Sequence, residues 1–126
     1  MKKEIEHSKE MILSRDRWFL IMKKRLQEGA TFRIKVIGNS MHPTYKNGEE
    51  VNIRYIDAKE VKVGDVLVYH HRKNNLTIHR VVRILQKEPE CLFITQGDFN
   101  PYIDEYTLPE HEVIGIVDDC EKRLSE

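Results

Sequence analysis

A serine in a glycine-led turn and a histidine in a later apolar run are the residues of this chain best suited to nucleophilic chemistry. Ser40 lies in residues 38–44 (GNSMHPT), directly after an apolar run that ends at Ile37, and His79 lies in residues 77–82 (TIHRVV). A serine hydroxyl is a weak nucleophile until a base removes its proton, and an imidazole, whose unperturbed pKa is about 6.5, does this near neutral pH. The pair predicts a hydrolase whose activity rises through roughly pH 6 to 7.

The length and the charge balance of the chain limit its possible partners. Its 126 residues are 40% hydrophobic, which suits a single domain with one core. The 21 basic and 21 acidic side chains cancel, so no overall field draws the protein towards a polyanion. We predict no nucleic-acid partner, because such a site needs clustered basic residues interleaved with aromatic ones.

The cysteines and the other histidines do not suggest a metal site. Cys91 and Cys120 have neither the number nor the spacing of a zinc site or a disulfide framework, and free thiols fit a reducing compartment. His42 and the pair His70 and His71 have no cysteine or carboxylate nearby at ligand spacing. The sequence therefore predicts a cytoplasmic protein that needs no metal and no cofactor.

The beginning of the chain predicts an amphipathic helix. No stretch of about 18 apolar residues occurs, so we expect a soluble or peripherally membrane-associated protein with no transmembrane segment. Ile5, Ile12, Phe19 and Leu26 recur every seven positions and share one helical face. The apolar residues 18–22 (WFLIM) are followed directly by three basic residues. The side chains of Ile12, Trp18, Phe19 and Leu26 therefore pack on the protein's own core, bind a partner or rest on an anionic membrane.

The rest of the chain predicts a mainly β protein. Residues 1–28 are interpreted as one helix that stops at Gly29. Residues 32–36 then alternate between apolar and basic side chains, with the period of two that is typical of a half-buried strand. Further strands are predicted at residues 50–55, 66–70, 77–85, 91–95 and 113–117. The predicted units are the helix (1–28), a catalytic β domain (29–118) and a charged tail (119–126).

One long hairpin is predicted to carry His79. Residues 73–75 (KNN) separate two β-rich runs, and asparagine tolerates the positive φ of a tight turn, so residues 66–85 are expected to pair. Because side chains alternate along a strand, His79 and Val81 should point to one face, and Arg80 to the other.

The order of these motifs resembles the signal peptidase family, which shares a β fold with the self-cleaving LexA-type repressors. After the serine motif come residues 63–69 (VGDVLVY), residues 78–82 (IHRVV) and residues 95–98 (TQGD). The resemblance covers about residues 34–117 and is to the branch with histidine as the base, found in archaeal and endoplasmic-reticulum signal peptidases. It implies a LexA- and signal-peptidase-like coiled β-sheet fold, here preceded by an amphipathic α-helix.

The resemblance also implies a carboxylate that orients the histidine. Asp104 follows Asp98 by six residues, as in the family pattern, and is the candidate third member of a Ser40–His79–Asp104 triad, with Asp98 as the alternative or as a supporting residue. Two residues depart from the family pattern, since Gln96 replaces a lysine and Phe99 an asparagine.

Peptide hydrolysis further requires donors for the oxyanion. Gly38 allows a sharp turn and a close approach of the substrate carbonyl, so the backbone N–H of Ser40 is a candidate donor. A neighbouring amide or the side chain of Asn39 is the candidate for a second donor. The sequence does not choose between them.

These features predict a serine endopeptidase that forms an acyl-enzyme at Ser40 and binds its peptide or protein substrate as an added strand. Because the first helix is too charged to insert into a bilayer, we expect a leader or signal-type peptide that is soluble or lies near a membrane. The alternative is a non-catalytic module that binds a peptide or partner on the same fold. A third interpretation, a self-cleaving regulatory domain, lacks a DNA-binding half, because one helix is too short for a helix-turn-helix unit.

Overall fold

In the part of the chain that the structure describes, helix α1 (Ser8–Gln27) precedes a sheet of seven strands. The computed structural model describes residues 8–70 and 76–118, except for the side chains of residues 8–16. The helix ends where Gly29 takes a φ of +105°, the left-handed conformation that glycine adopts without a steric penalty. Within the described residues, no helix is both long and apolar enough to cross a membrane. The predicted divisions at residues 28 and 118 remain predictions, and the tail lies outside the described residues.

The strands form one antiparallel sheet. Their order across the sheet is β1-β2-β7-β3-β4-β5-β6. Their bounds are β1 (Phe32–Lys35), β2 (Glu50–Arg54), β3 (Val66–His70), β4 (Leu76–Gln86), β5 (Cys91–Gln96), β6 (Thr107–Pro109) and β7 (Val113–Val117). Two short 3-10 turns, at Ala58–Glu60 and Glu110–Glu112, connect strands. The prediction of a mainly β protein with an N-terminal helix is confirmed.

The six predicted strands are present, and the sheet contains one strand more. β6 was missed because it has only three residues and includes Pro109, so it is too short to show a period of two. β3 and β4 pair as the predicted hairpin, with Leu67 opposite His79. Residues 73–75, which were predicted to form its turn, lie outside the described residues.

The sheet buries apolar side chains on two faces. One cluster contains Phe19, Met22 and Leu26 of α1 together with residues of β1, β2, β3 and β7. The other cluster is centred on Leu67, Val81 and other side chains of the opposite face. Because Phe19 and Leu26 are buried, this part of the predicted helical face packs on the protein's own core. Ile5 lies outside the described residues, and so does the side chain of Ile12.

An ion pair fixes the loop that follows β5. The Arg80 guanidinium donates to both carboxylate oxygens of Asp98, each over 2.8 Å, and to the carbonyl oxygen of Gly64, also over 2.8 Å. Thr44 Oγ1 donates to Asp98 Oδ2 over 2.6 Å. The backbone N–H of Phe99 donates to the carbonyl oxygen of Ser40 over 2.9 Å. The loop is therefore attached both to β4 and to the segment that carries Ser40.

The Asp98 carboxylate is held in its charged form by these contacts. Burial raises its pKa, but the hydrogen bonds from Arg80 and Thr44 and the positive charge of Arg80 outweigh burial, so the pKa of Asp98 lies below its ordinary value. A carboxyl group with a lowered folded-state pKa stabilises the fold above the unfolded-state pKa of about 3.9, and this contribution is lost as the pH falls through the folded-state value.

We therefore expect Asp98→Asn to lower the free energy of unfolding by about 1 to 3 kcal/mol at pH 7. The difference from the unmodified protein should narrow as the pH falls below about 4, because Asp98 is then protonated in the unfolded chain and, as the pH falls through the lowered folded-state pKa, in the folded protein as well. Urea denaturation between pH 3 and 7 measures both effects.

Glu50→Gln is the matched control for this prediction. The Arg33–Glu50 pair is 3.4 Å long, and both side chains are more than half exposed, at 64% and 51%. Its loss should change the stability by less than about 1 kcal/mol at neutral pH. A stability difference for Asp98→Asn that stays constant from pH 7 to pH 3 would show that the charge of Asp98 does not stabilise the loop.

Candidate active site

Ser40 lies in a turn between β1 and β2. Gly38 has a φ of +93°, which reverses the chain after β1, and its N–H donates to Asn47 Oδ1 over 2.8 Å. Met41, the residue after Ser40, is almost fully buried in the core, with 1% of its surface exposed. The buried methionine and the bonded glycine thus hold Ser40 on a rigid turn at the edge of the sheet.

His79 lies in β4 and reaches this turn. Its Nε2 is 3.1 Å from Ser40 Oγ, although 39 residues separate the two in sequence. Its side chain is largely buried, with 12% exposed. The neighbouring Arg80 binds Asp98 and Gly64 instead. The two adjacent side chains of β4 thus serve different contacts, in agreement with the predicted alternation.

Asp104 lies on the other side of the His79 ring. Its Oδ2 is 2.6 Å from His79 Nδ1. Because a carboxylate only accepts hydrogen bonds, the proton is on Nδ1, and the lone pair of Nε2 faces the Ser40 hydroxyl. The bond is short, as is usual when the acceptor is an ionised carboxylate. The structure therefore brings together the three side chains that the sequence placed in one proton-transfer chain.

Two polar side chains that the sequence did not single out complete the surroundings of Asp104. Thr95 Oγ1 donates to Asp104 Oδ2 over 2.7 Å, and the hydroxyl of Tyr69 is 3.1 Å from Thr95 Oγ1 and 3.5 Å from Asp104 Oδ2. Burial is the main cause that raises the pKa of Tyr69 above its ordinary value, so its hydroxyl stays protonated. A threonine and a tyrosine in apolar strand patterns are easily taken for core residues, and their position opposite a carboxylate emerges only on folding.

The remaining predicted site residues lie around this centre without contacting the His79 ring nitrogens. Asp98 binds Arg80 and Thr44, so the alternative of Asp98 as the partner of His79 does not match the geometry, and its supporting role remains a prediction. Asn39 is exposed, and its backbone carbonyl accepts a hydrogen bond from His42 N–H over 3.1 Å.

Gly97 approaches the site so closely that no side chain fits. A Cβ atom there would lie 2.6 Å from the carbonyl oxygen of Ser40 and 3.0 Å from His79 Nε2. Both distances are well inside van der Waals contact, and the first involves backbone that cannot swing away. The sequence signal was the glycine itself within residues 95–98 (TQGD), but its reason appears only in three dimensions.

A groove of about 690 Å³ opens beside Ser40 and His79. Its lining is mostly apolar. Helix α1, the end of β1 with the turn that follows it, and the first half of β4 contribute Trp18, Phe19, Ile34, Lys35, Val36, Ile37, Ser40, Met41, Leu76, Thr77, Ile78 and His79. The groove is therefore continuous with the candidate catalytic side chains, and its far wall is formed by the N-terminal helix.

The described histidines do not gather into a metal site. The His42 ring packs edge-to-face against Phe99, with centroids 5.8 Å apart, and the His70 ring lies 4.4 Å from that of Phe19. Among the described residues, no group of three or more His, Cys, Asp or Glu side chains is arranged to hold a metal ion. His71 and Cys120 lie outside those residues.

Two signal peptidase complex catalytic subunits are similar to more than half of the chain. The signal peptidase complex catalytic subunit of Yarrowia lipolytica is 32% identical over 93 residues, which cover 67% of this chain and 54% of the relative. The subunit of the same name from Scheffersomyces stipitis is 35% identical over 72 residues, covering 56% of this chain and 43% of the relative. The chain spans about half the length of the curated relatives it matches.

A family model described as Peptidase S24-like matches residues 2–118. The match extends over helix α1 and all seven strands, and therefore includes the turn of Ser40, the strand of His79 and the loop of Asp104. It confirms the resemblance on which the predicted LexA- and signal-peptidase-like fold was based. The chain belongs to the Peptidase S24-like family.

Proposed function

We propose that this protein is a serine endopeptidase that cuts a leader or signal-type peptide, with Ser40 as nucleophile, His79 as base and Asp104 as the group that orients His79. The observation that carries the proposal is the position of the His79 ring, with Nε2 3.1 Å from Ser40 Oγ and Nδ1 2.6 Å from Asp104 Oδ2. Membership of a peptidase family and similarity to signal peptidase complex catalytic subunits support it.

The proposed reaction has two steps. Ser40 Oγ attacks the scissile carbonyl carbon while its proton passes to His79 Nε2, and the imidazolium is stabilised by the Asp104 carboxylate. His79 then gives this proton to the leaving amine, the C–N bond breaks, and an ester to Ser40 remains. In the second step water attacks the ester, His79 accepts the water proton and returns it to Ser40 Oγ, and the free carboxylate product leaves.

Backbone amides of the Ser40 turn are proposed to bind the oxyanion. The Gly38 N–H is already bonded to Asn47 Oδ1, and the His42 N–H is bonded to Asn39 O, so these two donors are engaged. Of the other amides in this turn, we assign the N–H of Ser40, the residue of the proposed nucleophile, as the main oxyanion donor. A donor aimed at the developing charge contributes more to the transition state than to substrate binding.

The groove is proposed to bind the peptide in extended form. β1 is an edge strand of the sheet. Residues 76–79 of β4 pair with β3 on one side, whereas pairing with β5 begins only at Arg80 and Gln96. Within the described chain, two strand edges with unused backbone hydrogen-bonding groups therefore flank the groove. A peptide laid between them would add a strand and present alternate side chains to the apolar lining.

Substitution of the three proposed catalytic residues is the direct test. We expect Ser40→Ala, His79→Ala and Asp104→Asn each to lower kcat at least about 10³-fold, because each interrupts the same proton-transfer chain. Hydrolysis of synthetic leader or signal-type peptides is followed by mass spectrometry. Asp57→Asn, which changes a carboxylate that only caps a 3-10 turn, is the matched control for Asp104→Asn. Cleavage that persists in Ser40→Ala would contradict the proposed nucleophile, whereas peptide binding without cleavage in both proteins would favour the non-catalytic binding module.

The close approach of Gly97 gives a second test. We expect Gly97→Ala to lower kcat about 100-fold or more, because the added methyl group would push the Ser40 backbone and the His79 ring apart. Gly115→Ala is the matched control, since its Cβ would lie equally close, 2.6 Å, to the carbonyl oxygen of Arg54, away from the site. Both variants should lose stability, measured by thermal unfolding. Equal turnover per folded molecule in the two variants would contradict the proposed site.

The helical wall of the groove gives a third test. Trp18 is half-exposed, and its ring packs edge-to-face on Phe32, with centroids 6.3 Å apart. The preference for leucine is the ratio of kcat/KM for a peptide with one leucine to kcat/KM for the peptide with alanine at the same position. We expect Trp18→Ala to lower this ratio about 10-fold. A series that moves the leucine through the positions on each side of the cut identifies the position that contacts Trp18.

Leu20→Ala is the control for this helix. Leu20 is 69% exposed and does not line the groove, although it is two residues from Trp18. Its substitution should leave the preference for leucine unchanged at every position. A preference that is unaffected by Trp18→Ala would show that Trp18 does not contact the substrate.

A further inference from the structure

We propose that Thr95 is a positioning residue for the reaction, because it holds the Asp104 carboxylate in the orientation that His79 requires. The inference rests on the proposed function of Ser40, His79 and Asp104. Thr95 acts through Asp104 and not on the substrate itself. It lies in β5 opposite Val81, which follows His79 by two residues in β4, so the sheet sets the distance between Thr95 and the histidine.

Thr95 binds Asp104 at two points. The backbone N–H of Asp104 donates to the carbonyl oxygen of Thr95 over 2.8 Å, and Thr95 Oγ1 donates to Asp104 Oδ2 over 2.7 Å. The first bond places the backbone of Asp104, and the second fixes the rotation of its carboxylate group. A loop residue held only by its backbone would leave that rotation free.

The hydrogen bonds that link Tyr69, Thr95 and Asp104 all run in one direction. Its hydroxyl stays protonated, and it lies 3.1 Å from Thr95 Oγ1. The Thr95 hydroxyl has a single proton, which it gives to Asp104, so it accepts the proton of Tyr69. The chain of donors therefore runs from Tyr69 through Thr95 to Asp104.

The two donors of this chain are buried. Thr95 is 1% exposed and Tyr69 is 3% exposed. If the threonine hydroxyl were replaced by a methyl group, the buried side of the Asp104 carboxylate would lose its donor. The carboxylate of Asp104 would then rotate more freely, and the Nδ1–H tautomer of His79 would lose part of its preference. The other tautomer has its proton on Nε2 and cannot accept the proton of Ser40.

The kinetic test compares two substitutions that differ only in the hydroxyl. We expect Thr95→Val, which keeps the shape, to lower kcat about 10-fold or more with KM changed less than about twofold, because the effect is on proton transfer and not on binding. Thr95→Ser, which keeps the hydroxyl, should restore kcat to within about threefold of the unmodified enzyme. Thr107→Val, an exposed threonine of β6, is the control and should leave kcat unchanged.

Tyr69→Phe provides a second variant in case Thr95→Val does not fold. It removes the outer donor but keeps the Thr95–Asp104 bond, so kcat should fall by a smaller factor, about two- to fivefold. A folded Thr95→Val enzyme with unchanged kcat, or a Thr95→Ser enzyme that is as slow as Thr95→Val, would overturn the proposal.

A measurement without turnover separates this inference from the proposed function. The ¹⁵N NMR shifts of the His79 ring report its tautomer in the resting protein. We expect a dominant Nδ1–H form in the unmodified protein and a mixture of the two tautomers in Thr95→Val. If no peptide is cut but the tautomer responds to Thr95→Val, only the proposed function fails. If peptides are cut and neither kcat nor the tautomer responds, the positioning role of Thr95 fails.

Discussion

One carboxylate oxygen, Oδ2 of Asp104, is the atom on which the geometry of the site depends. It lies 2.6 Å from His79 Nδ1 and 2.7 Å from Thr95 Oγ1, and the more distant Tyr69 hydroxyl also points towards it. These partners belong to three neighbouring strands, β4, β5 and β3. Because N–H···O hydrogen bonds in proteins span about 2.7 to 3.2 Å, the strands must keep their register for His79 and Thr95 to meet at one atom. The sheet therefore acts as the support that keeps a loop carboxylate at a fixed position.

Two adjacent residues of β4, His79 and Arg80, bind different partners. His79 contacts Ser40 and Asp104, whereas Arg80 binds Asp98 and the carbonyl oxygen of Gly64. The loop between Asp98 and Asp104 is thus tied to the same strand at both of its ends, by an ion pair at one end and by the histidine at the other. Its Phe99 N–H also binds the backbone of Ser40. A movement of any one of these attachments would change the distance between the serine and its base.

The sequence allowed the fold and the central side chains to be predicted, but not their supports. The period of two in β1 and the apolar runs of the other strands identified six strands, whereas the short β6 showed no period. Ser40, His79 and Asp104 were found because a turn and two motifs occur in a familiar order. Thr95 and Tyr69 were missed because their role depends on pairing across strands, which a linear pattern does not reveal. The packing of Gly97 against Ser40 likewise joins residues that are distant in sequence.

Helix α1 forms one wall of the groove, yet it lies outside the sheet that positions His79 and Thr95. Phe19, Met22 and Leu26 attach it to the core, and Trp18 reaches the groove from the same helix. The residues proposed to select a substrate and those proposed to cut it are therefore carried by separate elements. During evolution, substitution of the groove-lining residues of this helix would change which peptides are preferred and leave the proposed catalytic residues unaltered. Peptide preference and the cleavage chemistry can therefore evolve at different rates.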